Sequence, residues 1–177
     1  MARFYNLPNT QAGCLTDAKQ PGAQAIMEKT LSTLPLVLSG VDVVNGTGEL
    51  DTSQMLVLEQ IVVDHEIALM CQRYKEGIDV SDAKDLYADV KSAKPGGHFL
   101  TEPGTLKYCR SNEFFQPGLS DRNTYEHWEG LGRPDLYSKA RERVAEILAG
   151  PLKNPLPGEV LGKLKDIQRQ ADEALKK

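Results

Sequence analysis

Cysteine is scarce in this sequence. Cys14, Cys71 and Cys109 are scattered over 177 positions, and no CxxC pair occurs. An odd, widely spaced set excludes a disulfide scaffold and leaves reduced thiols as the simpler state. Aromatic residues make up only 6% of the chain, with a single Trp. No long basic block is present, and 21 Lys and Arg are outnumbered by 25 Asp and Glu, for a net charge of −4. The basic stripe that phosphate binding needs is missing, so nucleic acid is not expected as a partner. No apolar run is long enough to span a bilayer, and the N-terminal MARFYNLPNTQ lacks the apolar core of a secretory signal. A cytoplasmic protein without a membrane partner is expected. The three histidines, His65, His98 and His127, do not stand at the short spacings of a zinc site, and no metal centre is expected.

What is present is a chain divided by glycine and proline. Residues 1–19 read as loop, punctuated by Pro8, Asn9 and Gly13. Pro21 starts a helix whose apolar residues Ala23, Ile26, Met27, Leu31, Leu34 and Leu38 recur at helical spacing, with Pro35 loosening its last turns and Gly40 stopping it. Val41–Val44 is short, β-branched and bounded by glycines, which predicts a buried strand. The turn-rich segment NGTGELDTS follows it. Thr52 or Ser53 then caps a long helix running to about Glu76, apolar nearly all round and therefore expected to be buried.

Ser81 caps a shorter helix to about Ala93, which Lys94-Pro95-Gly96-Gly97 ends. A weak strand is expected at His98–Leu100, and a turn of helix at 103–108 with Thr101 as its cap. Residues 110–123 look irregular. Helices are expected at 125–130, 134–148 and, after the proline-rich GPLKNPLPGE, at 157–176. The last is amphipathic, with Val160, Leu161, Leu164, Ile167, Ala171 and Leu175 on one stripe. The expected domain division is 1–150 followed by 151–177, a connector and terminal helix. One convincing strand among six or seven helices lacks neighbours for its backbone groups, so the chain reads as part of a larger helix-rich α/β body or as one that relies on a partner.

Residue chemistry alone singles out few sites. His65 in VVDHEIAL reads as a core or capping residue, because neighbouring Asp64 and Glu66 point in other directions on a helix. His98 reads either as a loop residue after a helix stop or as a side chain approached over the cleared backbone of Gly96 and Gly97. Asn45, Gly46, Gly48 and Asp51 make either a tight turn or, at the end of a strand, part of a loop-built pocket. Cys14 is an ordinary buried thiol or a nucleophile without a nearby base in sequence. Tyr108, Tyr125 and Trp128 are core residues or walls for a cationic methylammonium group.

Seven segments occur in order: GCLTDAK with Gln24, NGTGELDTS, VDHEIALM, PGGHFL, TLKYCR, FFQPGLSDRNTYEHW and GRPDLYSKARERVAEIL. Together they resemble the C-terminal part of the trimethylamine:corrinoid methyltransferase family, which includes glycine betaine and other quaternary-amine methyltransferases. The resemblance implies the C-terminal portion of a (βα)8 TIM-type barrel with a C-terminal helical extension. It also implies methyl transfer from a tertiary or quaternary amine to the Co(I) of a corrinoid protein. The corrinoid is carried by that partner, and no cofactor is bound directly. Substrate binding is expected at Asn45, Gly46, Asp51 and His98. Cys14, Asp17, Gly96, Gly97 and Glu102 are expected to face the cavity or the corrinoid.

A histidine of the betaine branch is replaced here by Asn45, which still offers an amide donor. Some members of the family carry pyrrolysine around the region of GCLTDAK; this chain has an ordinary residue at every position there, so the resemblance favours a quaternary amine over trimethylamine itself. Members of the family are much longer, and an eightfold barrel needs about 250 residues. The expectation is a fragment or split gene product completed by a missing N-terminal barrel half or by a homo-oligomer. The rival expectation is a non-catalytic barrel remnant that self-associates or binds another protein.

Overall fold

Pro21 and Gly40 bracket the first helix in the computed structural model, which describes residues 1–175. Helix α1 spans Ala23–Ser39, contains Pro35, and ends where Gly40 enters the left-handed region (φ 79°) and donates its N–H back to Leu36 and Val37. Ahead of it, Thr10–Ala12 forms strand β1, and Val43–Asn45 forms β2. They pair in parallel with Thr10 opposite Val43 and Ala12 opposite Asn45. The unit is therefore β-α-β.

This corrects two expectations. Residues 1–19 are not all loop, because β1 is the neighbour that the second strand needed. The strand expected at Val41–Val44 is shifted to Val43–Asn45 and is not buried, with Val43 53% exposed. Its sheet has only two strands, so much of both faces stays open.

The long helix also starts later than its sequence implies. Glu49–Leu50 (β3) and Met55–Leu56 (β4) form an antiparallel hairpin. Asp51, Thr52 and Ser53 between them are all left-handed, at φ 50°, 52° and 69°. Neither Thr52 nor Ser53 caps a helix. Helix α2 spans Leu58–Glu76 with extended Val57 before it and no side-chain cap. Met55 and Leu56 thus belong to the hairpin, and Leu58, Leu69 and Met70 are 41–45% exposed. The polar residues Gln60, Asp64 and Glu66 lie inside instead. His65, read as core or cap, is exposed.

The helix expected from Ser81 to Ala93 is divided into a 3₁₀ turn at Asp82–Lys84 and α3 at Tyr87–Ala93. Ser81 makes no side-chain cap. Asp79 and Asp85 take the N–H groups of Ser81 and Tyr87, local bonds that compete with a continuous helix. His98–Leu100 forms no strand. Helix α4 spans Pro103–Tyr108. Its N-cap residue is Glu102 rather than Thr101, and Asp89 of α3 accepts the Gly104 N–H at 2.7 Å.

Helix α5 (Tyr125–Gly130) is capped by Thr124, whose hydroxyl accepts the His127 N–H. Helix α6 spans Leu136–Ala149, so Pro134 precedes it, and Asp135 accepts the Tyr137 and Ser138 N–H groups in its first turn. Helix α7 spans Gly158–Leu175; position 176 of the expected helix lies outside the described residues.

The chain falls into two compact units, one from Met1 to Val144 and one beginning at Ala145. In the first, Val63, Ile67 and Cys71 of α2 pack with Leu119 and Ala140, flanked by Ile26, Leu34, Val37 and Tyr137. Ala18, Ala25 and Leu50 form a second small cluster. Each fully buried Val, Ile or Leu contributes about 1.5–3 kcal/mol. The fold is helix-rich α/β. No helix among the described residues is long and apolar enough to cross a membrane.

Candidate functional site

Parallel pairing sends the loops after β1 and β2 out of the same end of the sheet. The Gly13 N–H continues the ladder to the Asn45 carbonyl at 3.1 Å. The loops then stay in contact. Asp51 N–H donates to the Ala18 carbonyl at 2.9 Å and Thr52 N–H to the Thr16 carbonyl at 3.0 Å. The Thr52 hydroxyl reaches Asp17 Oδ1 at 2.8 Å, and Lys19 pairs with Asp51 at 2.7 Å. Gly46 permits this approach. Its φ is 97°, and a Cβ there would stand 2.4 Å from the Gly13 carbonyl oxygen.

Beneath the loops lies a charged pair that is wholly buried. Lys29 Nζ of α1 stands 2.8 Å from Asp64 Oδ2 of α2, and both side chains are 0% exposed. Lys29 also donates to the carbonyls of Cys14 (2.6 Å) and Gly46 (3.4 Å). Asp64 accepts the Gly48 N–H at 2.7 Å and Gln60 Nε2 at 2.7 Å. The Tyr137 hydroxyl donates to Gln60 Oε1 and accepts the Gly22 N–H.

Sequence reasoning missed Lys29, Gln60 and Tyr137, and passed over Asp64. A signal was available: Ala25, Lys29 and Thr33 recur at i+4 and share one face of α1, so a charge on that face faces inward.

Cys14 is 3% exposed, with Sγ 3.0 Å from the Thr33 hydroxyl. Burial pushes its thiol above the ordinary range, and the Thr33 hydrogen bond only partly opposes this. The thiol is therefore protonated near neutral pH and a poor nucleophile. It lines a cleft of about 790 Å³ together with Thr33, Val44, Thr47 and His65. Against the 13–19 loop, Glu28 of α1 accepts the Thr16 hydroxyl at 2.6 Å and the Asp17 N–H at 2.9 Å. Those bonds, with one from Gln24, hold its carboxyl below the usual value, the Thr16 bond contributing most.

The structure brings Cys14, Asp17, Gly46 and Asp51 into this two-loop patch, with Asn45 exposed at its edge. Gly96, Gly97 and His98 are exposed, and Glu102 is half-buried at the start of α4. The backbone hydrogen bonds there are local, Gly97 N–H to Lys94 and Glu102 N–H to Phe99. None of the described hydrogen bonds joins 96–102 to the patch. Tyr125 and Trp128 rings lie 5.7 Å apart, whereas Tyr108 already carries Lys84 over its face at 4.0 Å. No three His, Cys, Asp or Glu side chains converge as metal ligands among the described residues.

Glu66 is a further residue that the sequence did not single out. It accepts the N–H groups of Leu119 and Ser120 and the Ser120 hydroxyl, at 2.6, 3.0 and 2.7 Å. Burial raises its carboxyl, but these bonds together outweigh burial and hold it below its ordinary value. It fixes the 118–120 segment to α2.

The family model described as "Trimethylamine methyltransferase (MTTB)" matches residues 1–174. Trimethylamine methyltransferase MttB of Methanosarcina barkeri (strain Fusaro) is 33% identical, over 99% of this chain and 35% of its own length. MttB of Desulfitobacterium hafniense (strain DCB-2) is 31% identical, over 98% of this chain and 34% of its own. A glycine betaine methyltransferase of D. hafniense (strain Y51) is 33% identical, over 93% and 34%. The chain spans about a third of the length of these curated relatives. It belongs to the trimethylamine methyltransferase family.

Proposed function

We propose that this chain forms part of a methyltransferase that moves a methyl group from a methylated amine to the Co(I) of a corrinoid carried by a partner protein. The observation that carries the reading is the β1-α1-β2 unit, whose two C-terminal loops are bonded side by side in a member of this family. In the proposed fold the unit is one repeat of a (βα)8 barrel, and its loops form a portion of the substrate face. The substrate is a tertiary or quaternary amine, quaternary by preference. Asn45, Gly46 and Asp51 contact it, and His98 and Glu102 approach from the 96–102 segment.

The corrinoid supplies the nucleophile. The carbon–nitrogen bond of a quaternary amine, or of a tertiary amine protonated on nitrogen, would break with its electron pair staying on nitrogen, the methyl would pass to cobalt, and a neutral amine would leave with one methyl fewer. Protein groups position the amine. Asp17, Glu28 and Asp51 attract a cation, but the positive charge leaves nitrogen as the methyl departs. Their attraction therefore acts on substrate binding more than on the chemical step.

The test is to combine the chain with the remainder of the relatives' length and a reduced corrinoid protein, and to follow the cobalt spectrum on adding trimethylamine or glycine betaine. Methylation with either amine supports the reading; an unchanged spectrum with every tertiary and quaternary amine rejects it. Asn45→Ala and His98→Ala are expected to weaken turnover without unfolding the chain.

A second reading is a self-associating or protein-binding module. It is favoured by Met27, Leu31 and Leu38 on α1, which are 63%, 71% and 49% exposed. A sharply monomeric boundary in sedimentation velocity of this chain would count against self-association.

A further inference from the structure

Lys29 and Asp64 cannot touch an amine, because neither side chain has any exposed surface. Their bonds lead elsewhere. Lys29 Nζ binds one backbone carbonyl in each loop, Cys14 and Gly46, and Asp64 binds the Gly48 N–H. Through Gln60 and the Tyr137 hydroxyl the same chain of bonds continues to the Gly22 N–H at the start of α1. No buried side-chain nitrogen or oxygen among the described residues lacks a partner. A buried ion pair is often no more stabilising than well-packed apolar residues of similar volume. What apolar residues cannot reproduce is a set of directional bonds to three backbone groups in two separate loops.

We propose that Lys29 and Asp64 are positioning residues that hold the loops 13–19 and 46–51 at one separation and register, and so set the gap that receives the substrate. The methyltransferase reading supplies only the identity of what enters that gap; the holding is a property of the chain itself.

The test is amide hydrogen exchange on the full chain, comparing the unsubstituted protein with Lys29→Met/Asp64→Leu. The informative amides are Asp51 and Thr52, which bond to Ala18 and Thr16 across the loops and make no bond to the pair. In the double variant these amides are expected to exchange at least about tenfold faster, while α1 and α2 keep their protection. Full loop protection in the folded variant overturns the proposal. So does a parallel loss of protection in loops and helices, since the pair would then serve general stability. If the double variant does not fold, Lys29→Met/Asp64→Asn gives the same comparison, because it removes both charges and the Lys29 bonds to the loops while keeping an oxygen for the Gly48 N–H. Loosened loops without methyl transfer in the reconstituted assembly would keep the positioning role and reject the methyltransferase reading. Methyl transfer with unchanged loops would do the reverse.

Discussion

Lys29 stands four residues from both Ala25 and Thr33, and all three face inward. Removing one partner of its ion pair leaves the other charged, buried and alone. Lys29→Met is therefore expected to cost about 3–5 kcal/mol, and Lys29→Met/Asp64→Leu much less. Urea unfolding of the three proteins checks this. Glu66 gives the pH dependence. Its folded carboxyl lies below its unfolded value, so ionised Glu66 stabilises the fold above about pH 4.3, and that stability is lost as pH falls through the folded value. Urea midpoints measured at pH 7 and pH 4 should differ less in Glu66→Gln than in the unsubstituted chain. A linear reading assigns Lys, Asp and Glu to solvent, and only Lys29 betrays its place, through its spacing from Ala25 and Thr33. The long-range partners are what overrule it: Glu66 meets Leu119 and Ser120, more than fifty positions on.

Helices were more legible than strands. Periodicity and glycine or proline stops locate α1, α5, α6 and α7 to within two residues where they are described. The three-residue strands are too short for alternation to register, and β1 has the polar sequence TQA. The hairpin escaped notice because its turn uses Asp51, Thr52 and Ser53 in left-handed conformations that favour glycine or asparagine. Its apolar Met55 and Leu56 were absorbed into the helix that follows. The loop glycine carries the prediction at this scale. Gly46→Ala combines a left-handed backbone with a Cβ against the Gly13 carbonyl oxygen, and is expected to cost about 2–4 kcal/mol. Thermal unfolding reads the loss, and a cost below about 1 kcal/mol would mean that the loops separate easily.

For the whole molecule, both hydrophobic clusters are built from residues no later than Ala140. Deleting residues 151–177 is therefore expected to move the thermal midpoint by less than about 3 °C, measured by circular dichroism. The terminal helix after GPLKNPLPGE was readable in the sequence, whereas the site's buried clasp was not, since it joins residues from four separate segments. The parallel pairing has one more consequence, for the order of folding. Asn9 and Asp42 are joined across 33 positions, and the strands on either side cannot meet until the intervening helix has formed and turned the chain back. A ribosome delivers β1 long before its partner exists. In a refolding experiment the Gly13 amide, which bonds to the Asn45 carbonyl, is therefore expected to gain protection no earlier than the amides of α1.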